Sequence, residues 1–180
     1  MESIDTSVCG GCGESSDWPE PNPGEMAFLI GSAVTYLAYG GYVVARRRPR
    51  WLPAWLAALA TWFTVCKYLI CTRCERYGEA CDFYYLGRWA SRLFERQPDR
   101  SLDAAGIIAE GGSVAIMQFA PLLAALGRRR MLLTYVVLLA IGQWAQLSVC
   151  CSRCVVYSKD PWKRETCPSY KLAQKIFPPA

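Results

Sequence analysis

The sequence predicts an all-α integral membrane protein. Four transmembrane helices form two tandem helical hairpins related by a pseudo-two-fold, with short interfacial amphipathic helices beside them. Three observations predict it. The apolar residues, 53% of 180, are bunched into four long runs, each about 20 residues or slightly more, enough for a helix to cross about 30 Å of hydrocarbon. The turns inside the two hairpins, "RRRPR" at 46–50 and "RRR" at 128–130, are short and arginine-rich. A shift of 80 residues aligns 50–77 with 130–157 without a gap and lays Cys71 on Cys151.

Residues 1–25 form a polar, Cys-containing N-terminal tail with six acids, no Lys or Arg, and three prolines within "DWPEPNPGE". A signal peptide needs a basic start and an apolar stretch, so this tail reads as retained. The first repeat, 26–103, holds an uncharged span at 26–45 and a second at 51–71 whose one charge is Lys67. The second repeat, 104–180, holds a span at 104–127 whose one charge is Glu110, and an uncharged span at 131–150.

Over 50–77 against 130–157, eight of 28 positions are identical: Arg50/Arg130, Leu52/Leu132, Leu59/Leu139, Ala60/Ala140, Cys71/Cys151, Arg73/Arg153, Cys74/Cys154 and Tyr77/Tyr157. "GSAV" at 31–34 answers "GSVA" at 112–115, and "ASRLF" at 90–94 answers "AQKIF" at 173–177. The repeated unit is helix, basic turn, helix, C-[ST]-R-C, loop, Cys, amphipathic segment. Parallel repeats of this kind imply an axis along the membrane normal. In 84–96, Leu86, Trp89, Ala90, Leu93 and Phe94 share one face opposite Arg88, Arg92 and Arg96, a pattern suited to the headgroup plane or to capping the bundle.

Short Arg-rich turns stay cytoplasmic. The rule places both termini, the 72–103 loop and nine of the ten cysteines on or beside the non-cytoplasmic side. The other segments carry more basic residues in total, thirteen against seven, but spread through longer stretches.

Three CxxC pairs carry the chemistry: Cys9/Cys12, Cys71/Cys74 and Cys151/Cys154. Two CxxC turns complete a tetrahedral all-thiolate site for zinc, or hold an iron–sulfur cluster. The predicted site is Cys71, Cys74, Cys151 and Cys154, structural or electron-transferring, with Cys9, Cys12, Cys81 and Cys167 as a candidate second group. The alternatives are a membrane thiol–disulfide oxidoreductase using the CxxC pairs and a disulfide-stapled scaffold subunit. Arg73 and Arg153 inside the motifs favour thiolate, whereas a preceding helix C-terminus disfavours it.

Lys67, Glu110, Gln118, Gln143 and Gln146 are the intramembrane polar residues. Lys67 is expected to snorkel to the surface, with a Lys67–Glu110 pair the alternative. Glu110 then marks where its span begins, and the glutamines join helices. The chain has no histidine and shows no phosphate loop, catalytic triad, acid pair or nucleic-acid motif. Its expected partners are the lipid bilayer, with anionic lipid at the basic turns, and a membrane or redox protein, not nucleic acid.

Overall fold

The computed structural model describes residues 22–74, 77–78, 81, 84–97, 104–152 and 168–177. Cys9, Cys12, Cys154 and Cys167, with Arg153 and Tyr157 of the repeat, lie outside the described residues. Every regular element among the described residues is helical: α1 (Pro23–Arg47), α2 (Leu52–Phe63), α3 (Val65–Cys71), α4 (Leu86–Leu93), α5 (Ala104–Ala125), α6 (Arg129–Ala145) and α7 (Pro168–Ile176). A 3-10 turn at Pro49–Trp51 leads into α2, and a π-turn at Gln146–Cys151 extends α6. Four segments are long and apolar enough to span a membrane: Pro23–Arg47, Pro49–Cys71, Ile108–Ala125 and Arg129–Cys151. The predicted four-span helical architecture is therefore observed.

α1 begins where the Asn22 side chain accepts from the Gly24 N–H at 2.8 Å, with proline in the first turn. Arg46 and Arg47 close it, where cations favour the negative helix end. Its buried residues Met26, Leu29, Ala33, Tyr36, Gly40 and Val43 recur every three or four positions, a single stripe that faces the other helices. α1 packs against both α5 and α6, and α5 also carries α2 and α3. Outward-pointing side chains are apolar: Phe28, Val34, Leu56, Phe119, Leu133 and Val137 are all exposed, as lipid contact requires.

Close approach is made where side chains are absent. A Cβ on Gly40 would lie 3.1 Å from Pro121 and Tyr135, and one on Gly142 would lie 2.7 Å from the Tyr36 ring. Pro121 sits inside α5 and has no N–H to offer the carbonyl four residues back, Met117. That carbonyl is satisfied from α2 by Trp55 Nε1 at 3.1 Å, while the Tyr135 hydroxyl of α6 donates to the next carbonyl, Gln118 O, at 3.1 Å. An unpaired carbonyl in hydrocarbon is costly, so the proline ties α2 to α5.

The second span breaks at Thr64, whose hydroxyl donates to the Ala60 carbonyl at 2.7 Å. Such back-bonding bends helices. The break separates α2 from α3, and Trp62, Cys66 and Lys67 on either side of it are all buried.

Candidate functional site

The cysteines gather where the second and fourth spans end. α3 closes at Cys71, and the chain then makes one tighter turn: Arg73 N–H donates to Ile70 O at 3.3 Å and Cys74 N–H to Cys71 O at 3.2 Å. Residues three apart in such a turn eclipse, so Cys71 and Cys74 share one face. The chain returns at Cys81, whose Sγ accepts from the Gly87 N–H at 3.3 Å. The sulfurs of Cys74 and Cys81 are both within electrostatic reach of Cys71. All three residues are half-buried.

Tyr84 and Tyr85 follow, both in the left-handed region with φ of 54° and 56°. A non-glycine residue there costs about 1–3 kcal/mol, and such strain concentrates at functional sites. Tyr84 packs against two buried clusters, one containing Cys66 and Trp62, with Cys71 at its edge, the other containing Cys150 and Val149. It thus joins the two cysteine-bearing helix ends. Burial pushes the Tyr84 phenol pKa above its ordinary value, reinforced by the neighbouring Cys150, Tyr36 and Cys151.

The fourth span ends in the π-turn, where the Ser152 N–H reaches back five residues to Leu147 O at 3.1 Å. Cys150 is buried and Cys151 half-buried. Among the described residues, no three Cys, Asp or Glu side chains come together closely enough to hold a metal ion. Cys71, Cys74 and Cys151 are among those residues; Cys154 is not.

Both helix ends are covered alike. The Thr72 hydroxyl donates to the Tyr68 carbonyl, and the Ser152 hydroxyl to the Ser148 carbonyl. The Thr72 carbonyl accepts from Gln97 N–H at 2.9 Å, and the Ser152 carbonyl from Gln174 Nε2 at 2.9 Å. α4 packs on α3, and α7 on the π-turn. On α4 the packed residues are Leu86, Gly87 and Ala90, while Trp89 and Leu93 stay exposed, free to meet headgroups.

Beneath the cysteine face lies a buried ion pair. Lys67 Nζ stands 3.1 and 3.0 Å from the two Glu110 carboxylate oxygens. Trp62 Nε1 donates to Glu110 Oε1 at 2.8 Å, and the ammonium lies 4.3 Å from the Trp62 ring centroid. The Lys67 side chain is 2% exposed and Glu110 22%. Lys67 therefore does not snorkel: its ammonium meets the Glu110 carboxylate of α5. Glu110 lies in the first turn of its span, which begins at Ile108. Cys66 Sγ is 3.9 Å from Ser113 Oγ beside the pair.

Gln118 lies beside Tyr36 of α1, and its carbonyl accepts from the Tyr135 hydroxyl of α6 at 3.1 Å. Gln143 Nε2 is buried with no hydrogen-bond partner among the described residues, and Gln146 opens the π-turn. Sequence reasoning missed Trp62 and Tyr84. The spacing Trp55, Trp62, Cys66 on one face was a readable signal for the first; nothing in the local sequence marks the second. No protein-family model, curated protein or solved structure matches this chain, so its chemistry is argued from these residues alone.

Proposed function

We propose that the chain is a duplicated membrane protein that performs thiol–disulfide exchange at its cysteine face, with Cys71 and Cys74 as the exchanging pair. The observation that carries this is the single tight turn at the end of α3 that sets Cys71 and Cys74 on one face. A pair one such turn apart can close to a disulfide. In the exchange, a Cys74 thiolate attacks a partner protein's disulfide, forming a mixed disulfide and releasing one partner thiolate. Cys71 thiolate then attacks the Cys74 sulfur and releases the second. Two electrons pass to the partner, and the two protons of Cys71 and Cys74 end on its thiols.

Duplication is supported by the matched covers on Thr72 and Ser152. It is also supported by the α1–α5 contact, where Val43 and Val44 share one buried cluster with Ala124 and Ala125. Extending the GSAV/GSVA alignment pairs Val43 with Ala124 and Val44 with Ala125, as expected of residues that meet at a pseudo-two-fold axis. With the arginine turns cytoplasmic, the exchange face is non-cytoplasmic, where disulfides persist.

An all-thiolate zinc or iron–sulfur site is the second reading. Cys154 would have to complete such a site with Cys71, Cys74 and Cys151.

The deciding experiment equilibrates anaerobically purified protein in glutathione buffers, traps thiols by alkylation, and measures metal on the same sample. Exchange predicts that Cys71 and Cys74 oxidise together and reversibly, at a potential between about −120 and −270 mV. Pairs that stay oxidised below about −300 mV are structural staples. Zinc or iron near one equivalent, lost in Cys71→Ser, establishes the metal site instead.

A further inference from the structure

At the end of the bundle opposite the cysteines, a hollow of about 590 Å³ opens between the two hairpin turns. Its walls are Arg46 and Arg47 on one side and Arg128, Arg129 and Arg130 on the other, with Tyr42 at the edge. All five arginines are exposed, and no acid occurs within 26–74 or 111–159 to neutralise them. Arg128 is the N-cap of α6, and Arg129 and Arg130 are its first residues. A helix N-terminus already carries partial positive charge and unpaired N–H groups. Three cations placed there are electrostatically unfavourable unless an anion joins them.

We propose that this hollow binds the headgroup of an anionic phospholipid carrying two phosphates, of the cardiolipin class. Guanidinium forks match phosphate oxygens bidentately, and two arginine walls suit two phosphates. The hollow lies where α1 and α5 end and α6 begins, at headgroup level, and basic pockets between spans take such lipids. Leu126 and Leu133, within a turn of the arginines, are 59% and 53% exposed and offer apolar surface for acyl chains. A soluble diphosphate has no use for that surface. The site is independent of the cysteine chemistry.

The test is binding to purified full-length protein in neutral detergent, read by native mass spectrometry and by thermal shift. The probes are cardiolipin, phosphatidylcholine and inorganic pyrophosphate. The proposal expects cardiolipin to bind and raise Tm while phosphatidylcholine does neither. Affinity should fall about tenfold or more in Arg46→Gln/Arg129→Gln and persist in Arg48→Gln/Arg50→Gln, which removes equal charge outside the hollow. These are surface positions, and the unliganded Tm of each variant reports folding separately. Cardiolipin binding no better than phosphatidylcholine, or lost equally in both variants, overturns the site. Pyrophosphate binding as tight as cardiolipin overturns the lipid as its source.

Discussion

Lys67 and Glu110 are a charge pair within the apolar spans, near their cysteine-side ends, where an unpaired charge is disfavoured. Together with Trp62 they satisfy one another: Glu110 accepts from both Lys67 and Trp62. Removing one partner leaves the other uncompensated, so Glu110→Gln is expected to cost about 3–5 kcal/mol, read as a lowered unfolding midpoint in detergent. The double variant Lys67→Met/Glu110→Met should recover most of that loss, since it buries no orphan charge; failure to recover would assign the pair a role beyond charge balance. Tyr84 supplies a pH effect. Its folded pKa is raised by burial, so its contribution to stability is complete below the ordinary phenol value near 10. Above that pH the unfolded chain ionises first, and the contribution is lost. Melting curves taken between pH 9 and 11, about the phenol range, should fall less steeply for Tyr84→Phe than for the native chain.

Among elements, α5 depends on its neighbours at Pro121. Trp55 of α2 donates to the freed Met117 carbonyl, so Trp55→Phe should destabilise by about 1–3 kcal/mol even though ring packing is kept. The glutamine covers are the second case. Gln97 donates to Tyr68 Oη at 2.7 Å from its side chain and to Thr72 O from its backbone, and Gln174 donates to Ser152 O. Gln174→Ala removes one bond of about 1 kcal/mol, enough to loosen α7 about fivefold. Alkylation of Cys151 should quicken by that factor. The α4 and α7 helices were legible from apolar spacing. Their packed faces were not, because Trp89 and Leu93 belong to the same apolar stripe yet stay exposed.

At the scale of the whole molecule, two chemically opposite ends face each other across the spans. One carries arginines with no acid; the other gathers cysteines around Tyr84. If the arginine turns are cytoplasmic, a membrane-impermeant maleimide applied to intact cells labels Cys74 after reduction. Labelling only after permeabilisation would invert the orientation. The four spans and their ends were readable because burying about 20 apolar residues in lipid is a local property of each run. The repeat was readable as identities at a constant shift.

Sequence alone therefore determined the number of spans, the helical class, the arginine turns and the CxxC spacing of the cysteines. The tertiary structure decided which groups meet across helices. Lys67 meets Glu110, Trp55 finds Met117 through Pro121, and Tyr84 lies between the two helix ends. Hydropathy and spacing are sums along the chain, whereas these meetings depend on where separate helices bend and how closely glycines let them approach.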